Sequence, residues 1–226
     1  LNALVQFRVE LAPRPASGKI VIVTIDSNSL DRIGIWPWPR DLHAQLLEKL
    51  NSAGAEDIAF DIDFSSPSSP SSDDRFAKAL AAEHSAVILP VLKQVDGNGG
   101  LHINRPIKPF SEKTWEATVN VQPDSDGIVR RYYAGAKIGN AVLPSMAVLL
   151  AGSPQSSGRA FWIDFGISPV PTVSYADVLA GHPSVLSKLK NKKIIVGGTA
   201  LELGDRITIP RGRIMRDETL ADVASH

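Results

Sequence analysis

The run Ile20-Val21-Ile22-Val23-Thr24-Ile25 decides the fold class of this chain, because it stays apolar without the alternation of a half-exposed strand. An unbroken β-branched run of this length is typical of a strand buried on both faces. The run follows the turn-forming pair Ser17-Gly18 and ends at Asp26. It therefore predicts a strand in the interior of a sheet.

The segments downstream of this run alternate between helical and extended patterns. Residues 41–54 place their leucines on one helical face and end at a glycine, and residues 58–64 form an apolar run typical of a strand. A serine- and proline-rich loop, residues 65–72, then leads to a helix capped by Asp73 and to a third buried strand at residues 86–92. This alternation predicts a parallel sheet.

The second half of the chain has shorter segments with the turn signals of antiparallel hairpins. Asparagine and glycines within residues 96–100 predict a hairpin turn, and residues 117–122 and 128–134 are predicted to pair across the turn at 123–127. Residues 193–196 return to a buried strand. We therefore predict an α/β fold with a largely parallel central sheet flanked by helices and with an antiparallel hairpin insertion.

No internal repeat or shift of composition divides the sequence. We therefore predict that residues 1–226 form one domain with a core at about residues 18–212 and with flanking segments at 1–17 and 213–226. The first residue is Leu1 rather than Met, so we expect the sequence to be a piece of a longer protein. It contains no apolar run long enough to span a bilayer.

Composition excludes several classes of function. The 24 basic side chains balance the 24 acidic ones, which argues against a general nucleic-acid binder. The chain has no cysteine, which excludes disulfides, thiolate zinc sites and a cysteine nucleophile. Neither an HExxH nor a GxSxG motif is present, so the sequence offers no support for a hydrolase triad or a zinc protease.

Carboxylates follow the predicted strands at the points where those strands end. Asp26 follows the first strand, and Asp61 and Asp63 lie at the end of the second, two residues apart and so on the same face of an extended strand. Because the carboxyl ends of parallel strands share one edge, these groups could hold Mg²⁺ or Ca²⁺ there. The alternative is that they cap backbone amides and pair with Arg40 or Arg206.

Two short segments resemble known ligand loops only in part. Asp124-Ser125-Asp126-Gly127 begins like a calcium loop but lacks the later ligands, so a hairpin turn with Gly127 at positive φ explains it better. Gly197-Gly198-Thr199-Ala200 follows a strand but matches no phosphate-loop motif. A tight exit from the strand is the favoured interpretation, and exposed amides there could still hold an anion.

The proline-rich segment Trp36-Pro37-Trp38-Pro39-Arg40 cannot continue a helix or a central strand. Its indoles could stack on a ligand or cover the core, and we favour the covering role. Arg40 is predicted to reach back to Asp26, Asp61 or Asp63 and to lock this loop against the sheet. The rival hypothesis makes Arg40 an anchor for a ligand.

Taken together, these motifs resemble the CHASE domain of type two, a cyclase- and histidine-kinase-associated sensory extracellular domain. The resemblance covers roughly residues 20–210, and the tryptophan-proline motif in its strand-to-helix setting is its most specific part. The quoted motifs are Ile25-Asp26, Ser29-Leu30, residues 34–40, Ala53-Gly54-Ala55, residues 60–64, residues 126–131, residues 193–200, and Asp205 before Pro210. Residues 213–226 depart from the family pattern, which runs on toward transmembrane helices.

The resemblance implies a sensor without catalytic activity, held outside the cytoplasmic membrane between anchors that this sequence lacks. Its cytoplasmic output would be a nucleotide cyclase, a cyclic-di-GMP synthase or phosphodiesterase, or a kinase. We expect a small-molecule or periplasmic ligand, a homodimer in the full receptor, and no nucleic acid, metal or cofactor. The two ends of the domain, Ile20 and Pro210, are then expected on one side.

The residues that we expect to bind a ligand share the carboxyl edge of the sheet and its loops. They are Asp26, Trp36, Trp38, Arg40, Asp61, Asp63, Thr199 and Asp205. Two other functions stay open at this point. One is a metal-dependent enzyme using Asp26, Asp61 and Asp63, and the other is a dimerisation module that binds no ligand.

Overall fold

The computed structural model describes residues 14–82, 85–95, 97–153, 159–167 and 169–199, and the backbone of strands 207–209 and 216–218. The strands are β1 (Ile20–Ile25), β2 (Asp57–Asp61), β3 (Ala86–Val95), β4 (Leu101–Asn104), β5 (Trp115–Thr118), β6 (Arg131–Tyr133), β7 (Gly135–Ile138), β8 (Ala141–Pro144), β9 (Ala160–Trp162), β10 (Thr172–Ser174), β11 (Lys193–Gly198), β12 (Ile207–Ile209) and β13 (Arg216–Glu218). The helices are α1 (Ser27–Ile33), α2 (Arg40–Ser52), α3 (Pro70–Ala82), α4 (Lys108–Ser111), α5 (Met146–Leu150), α6 (Tyr175–Ala180) and α7 (Pro183–Leu186).

Seven strands form the central sheet in the order β10-β1-β11-β2-β3-β4, with β5 also paired to β3. All of these pairs are parallel except β3 with β4. Strand β1 lies between β10 and β11 in the interior of the sheet. Its residues 21–25 are all buried, and since consecutive side chains point to opposite faces, the strand is buried on both faces as its composition predicts. The mixed α/β fold with a mostly parallel sheet is confirmed.

The two faces of the sheet are covered unequally. One face packs on α2, α3, α4 and α6 around a large apolar cluster that includes Leu46, Leu50, Phe60, Phe76 and Phe110. The other face carries a smaller cluster beneath α5. Each fully buried large apolar side chain stabilises the fold by about 1.5–3 kcal/mol, so the first face contributes most of the stability.

Helix α2 shows why this face forms. Its leucines recur at the spacing of one helical face, and Leu46, Leu47 and Leu50 are at most 1% exposed. The helix ends where Gly54 adopts a φ of 76°, in the left-handed region that glycine enters without a steric cost. The chain then turns directly into β2.

The hairpin prediction for the middle of the chain was right at one place and wrong at another. Strands β3 and β4 form the predicted antiparallel hairpin. Residues 117–122 and 128–134, however, do not pair: β5 joins β3 in parallel, and β6 pairs with β9. The reason is burial, because Ala117 packs with Ile88 and Met146 in the smaller cluster and local pairing would leave it exposed.

Several predicted bounds also shift. Strand β2 ends at Asp61, and α3 begins at Pro70, ahead of the predicted cap Asp73. Helix α5 begins after Pro144, where Ser145 caps it by accepting the Val148 N–H.

Within the described residues, no helix has the length and apolar character needed to cross a membrane. The expectation about the chain ends involves Pro210, which lies outside the described residues.

Candidate functional site

A cleft of about 440 Å³ opens at the carboxyl edge of the sheet, between two loops. One loop, residues 34–39, joins α1 to α2, and the other, residues 62–69, joins β2 to α3. We call this feature the tryptophan cleft. Ligands of open parallel sheets bind outside the carboxyl ends of the strands, so its position matches the usual place of a binding site.

The two tryptophans of the first loop have different roles. Trp38 is 5% exposed, donates its indole N–H to the Gly34 carbonyl at 2.8 Å, and packs its ring 4.9 Å from that of Tyr175. Trp36 is half-buried, lies edge-on to Trp38 at 5.2 Å and lines the cleft. Trp38 therefore covers the core, as favoured, and Trp36 presents an aromatic surface to the cleft.

Arg40, at the floor of the cleft, is 8% exposed and does not pair with Asp26, Asp61 or Asp63 as the sequence predicted. Its Nε lies 3.2 Å from Asp73 Oδ1, and its Nη2 donates to the Ser66 carbonyl. That prediction was wrong because Arg40 opens α2 beside the first turn of α3, where Asp73 lies.

The guanidinium of Arg40 is enclosed by aromatic rings. It lies 5.2 Å from the ring centre of Phe64 and 5.1 Å from that of Phe110. Burial lowers the pKa of Arg40, although the carboxylates of Asp73 and Asp63 oppose this shift. Arg40 Nη1 is buried and makes no hydrogen bond. The arginine thus ties the 62–69 loop to the helices, as the locking role requires.

His43 lies beneath the cleft within an aromatic cluster. It is 2% exposed, and its Nδ1 is 2.9 Å from the Tyr175 hydroxyl. Burial, and then the charge of Arg40, lower the pKa of His43 to about 3. Burial also raises the pKa of Tyr175. Both groups are therefore neutral at physiological pH and contribute no charge to the cleft.

Asp26 serves as a helix cap. Its carboxylate accepts the Ser29 N–H at 2.8 Å, the Ser29 hydroxyl at 2.6 Å and the Ser174 hydroxyl at 2.9 Å. Burial alone would raise the pKa of Asp26, but the hydrogen bonds from Ser29 and Ser174 outweigh it and lower that pKa. With these partners, Asp26 performs the capping role that was the alternative to metal binding.

Asp61 and Asp63 are separated by the end of β2. Asp61 is the last residue of that strand, whereas Asp63 lies in the following loop, where it lines the cleft and accepts the Ser65 N–H at 2.8 Å. Among the residues that the structure describes, no group of three or more histidine or acidic side chains is placed to hold a metal. The hypothesis that Asp26, Asp61 and Asp63 form a metal site is therefore not supported.

The Gly197-Gly198-Thr199 segment leaves the sheet as β11 ends. The Thr199 N–H donates to the Ile25 carbonyl at 3.2 Å, so this amide is used within the protein rather than offered to an anion. Thr199 is half-buried and is not among the described residues that line the cleft. Ala200 and Asp205 lie outside the described residues.

The turn at residues 124–127 has Gly127 at positive φ as predicted, but it is not the predicted hairpin turn, because β5 pairs with β3 and β6 with β9. Gly127 has a φ of 81°, and the Asp124 N–H donates to the Ile128 carbonyl at 2.9 Å. Arg130 forms ion pairs with Asp124 at 3.0 Å and with Asp126 at 2.7 Å. These carboxylates are paired with arginine, in keeping with a structural turn rather than a calcium loop.

Sequence reasoning missed part of the cleft wall. Ser66, Ser68 and Ser69 line the cleft, yet their serine-rich loop was treated only as a segment that could not pack in a core. The signal was its position, because a loop that directly follows a buried parallel strand lies at the carboxyl edge. Asp73, the partner of Arg40, was assigned only as a helix cap.

Comparison with known proteins gives one match. The family model described as the CHASE2 domain matches residues 1–226. No curated protein and no solved structure matches the chain. CHASE2 domains are sensory extracellular domains of signalling receptors and are not themselves catalytic. Because the match spans the whole sequence, the chain belongs to the CHASE2 domain family.

Proposed function

We propose that this chain is the ligand-binding, periplasmic sensory part of a bacterial transmembrane receptor and that its ligand binds in the tryptophan cleft. The cleft is the observation on which this rests: a pocket of about 440 Å³ at the carboxyl edge, with an aromatic wall and polar groups on its rim. We further propose that the receptor relays its signal to a cytoplasmic nucleotide cyclase, cyclic-di-GMP enzyme or kinase.

Both walls of the cleft lead directly into helices that touch each other. The Asp41 N–H in the first turn of α2 donates to the Ser72 hydroxyl in the first turn of α3 at 3.0 Å, beside the pair of Arg40 with Asp73. A ligand held between the two loops would therefore act on the starts of both helices at once. Such a contact gives ligand binding a direct route to the packing of α2 on α3.

A bulky substitution on the cleft wall tests this proposal. Ser68 is exposed and lines the cleft, and Ser71, also exposed, is not among its lining residues. Small molecules are first selected because they raise the thermal unfolding midpoint of the unsubstituted chain. We expect the same molecules to raise the midpoint of Ser71→Trp. They should not raise that of Ser68→Trp, because the new indole fills the cleft. Equal stabilisation of both variants by every such molecule would contradict the proposal.

The full receptor is proposed to act as a homodimer, because signalling across a membrane can use a change in the relation of two protomers. We expect cross-linking of the receptor in membranes to yield dimers. The isolated chain can remain monomeric, since membrane tethering supplies an effective concentration that dilute solution lacks. Only monomers in the membrane would contradict this part of the proposal.

A dimerisation module without a ligand is the second candidate, and one observation favours it. Val95 and Leu101 are opposite each other across the β3–β4 hairpin and are 68% and 52% exposed. Exposed apolar neighbours of this kind are common at protein contacts. If Leu101→Asp abolishes cross-linking in membranes and no molecule stabilises the chain, this second candidate replaces the first.

A further inference from the structure

The charges around the tryptophan cleft do not balance. Arg40 is the one permanent cation among the described residues that line it, and Asp73 is its ion-pair partner. Asp63 also lines the cleft, is exposed, and makes no ion pair within the described part of the chain. Arg40 also lies within electrostatic reach of Asp63. With His43 neutral through burial, the charges of Arg40, Asp73 and Asp63 together leave one net negative charge at the cleft and its floor.

The remaining polar groups on the outer wall add oxygen atoms. Ser66, Ser68 and Ser69 are exposed there, and their hydroxyl groups can accept hydrogen bonds from a ligand or donate to it, although Ser69 Oγ already accepts the Ser72 N–H at 3.3 Å. The potential donor Arg40 Nη1 is buried, and the guanidinium carbon lies 5.2 and 5.1 Å from the ring centres of Phe64 and Phe110. An anionic ligand in the cleft would meet the exposed Asp63 carboxylate, and like-charge repulsion opposes its binding.

Trp36 supplies a second element of cation recognition. Its indole lines the same cleft as the Asp63 carboxylate and is half-buried. The face of an indole attracts a positive group through its quadrupole, most strongly when the group is desolvated.

A divalent metal suits this wall poorly, because it needs several oxygen ligands and Asp63 is the one carboxylate lining the described part of the cleft.

We propose that the tryptophan cleft takes an organic cation, an amine or a quaternary ammonium compound, held between the Asp63 carboxylate and the indole of Trp36. The inference rests on the proposed function of the cleft and names the chemical class of its ligand. Asp63 neutralises the positive group, Trp36 covers it, and the serine oxygens accept hydrogen bonds from an N–H where the ligand has one.

The test is a titration of the 226-residue chain with three probes at matched ionic strength: tetramethylammonium chloride, propylammonium chloride and sodium propionate. The signal is the NMR shift of the Trp36 indole N–H, assigned with Trp36→Phe. We expect a saturable shift with at least one ammonium probe and none with propionate. Asp63→Asn should weaken binding about tenfold or more, since it removes the charge and keeps the shape. Asp31→Asn, an exposed control in α1, should bind as the unsubstituted chain does.

Three results would overturn the cation assignment. The first is that propionate binds and neither ammonium probe does. The second is that Asp63→Asn binds the ammonium probes as tightly as the unsubstituted chain. The third is that neither ammonium probe gives a saturable shift. None of these alone decides whether the cleft binds a ligand. That question is settled by the comparison of Ser68→Trp with Ser71→Trp, so failure of the cation assignment and failure of the sensory function are separate results.

Discussion

Two carboxylates at the same edge of the sheet have opposite surroundings. Asp26, at the end of β1, accepts hydrogen bonds from Ser29 and from Ser174, the last residue of the neighbouring strand β10. Asp63, beyond the end of β2, is exposed, lines the same cleft as Trp36 and accepts one backbone N–H. The protein itself satisfies the Asp26 carboxylate, whereas the second oxygen of Asp63 accepts no hydrogen bond from the part of the chain that the structure describes.

The difference shows that a carboxylate at a strand end has no fixed role. At the Asp26 end, short serines bring hydroxyl groups onto the carboxylate, so the edge is closed and serves the fold. At the Asp63 end, two loops stand apart and the buried pair of Arg40 with Asp73 holds them in place. We therefore expect substitutions at Arg40 and Asp26 to change stability and those at Asp63 to change binding.

The largest expected effect is at the arginine beneath the cleft. Arg40→Ala leaves Asp73 without its partner in a buried place and should lower the free energy of unfolding by about 3–5 kcal/mol in chemical denaturation. Arg32→Ala is the control, because its pair with Asp177 is exposed and should contribute at most about 1 kcal/mol. A loss within about 0.5 kcal/mol for Arg40→Ala would remove the locking role and favour the ligand anchor.

The histidine beneath the cleft should make stability depend on pH. In the unfolded chain its pKa is about 6.5, and in the folded protein it is about 3. Between pH 3 and pH 6.5, His43 is protonated in the unfolded state and neutral in the folded state. The free energy of unfolding is therefore highest above pH 6.5 and decreases as the pH falls toward 3. By pH 5 the loss should be roughly 2 kcal/mol.

Unfolding measured from pH 7 to pH 5 checks this expectation. His43→Gln should flatten the pH dependence, because it removes the titrating group and keeps a polar partner for Tyr175. His182→Gln changes an exposed histidine and should leave the slope as it was. If the free energy of unfolding of His43→Gln has the same pH dependence as that of the unsubstituted chain, the prediction that burial keeps His43 neutral is wrong.

At the closed end of the edge, a smaller loss is expected. Asp26→Ala removes the cap of α1 and should cost about 1 kcal/mol, in the usual range for an N-cap aspartate. Asp26→Ser keeps a capping oxygen and should recover most of this loss. If Asp26→Ser keeps the unfolding midpoint of the unsubstituted chain but is no longer stabilised by ligands, Asp26 belongs to the binding site. The contrast between Asp26 and Asp63 would then be wrong.

The smallest effect on stability is expected at Asp63. In Asp63→Asn the side-chain oxygen can still accept the Ser65 N–H, so the free energy of unfolding should change by no more than about 0.5 kcal/mol. The same variant should bind ammonium probes more weakly. A large loss of stability would show that Asp63, like Asp26, serves the fold, and the contrast between the two ends would then disappear.

The sequence was enough to locate several residues of the cleft, but it did not predict which side chains pair with one another there. Trp36, Trp38, Arg40 and Asp63 were all predicted at this edge, because strand ends and a proline-rich loop are visible in local sequence. The partner of Arg40 was predicted wrongly, since Asp63 is close along the chain to the strand end while Asp73 reaches Arg40 only through the packing of α3 beside α2.

Local sequence patterns were enough to predict the largely parallel sheet, its flanking helices and the edge at which the cleft lies. These depend on runs of β-branched residues, helical spacing of leucines and turn residues, all of which act over a few positions. Which of the two carboxylates accepts hydrogen bonds from distant side chains depends on tertiary contacts. Ser174 lies 148 residues from Asp26 in the chain, and the hydrogen bond that closes this end exists because β10 pairs with β1. The pairing of distant strands, which local patterns do not specify, thus separates the structural carboxylate from the one left open.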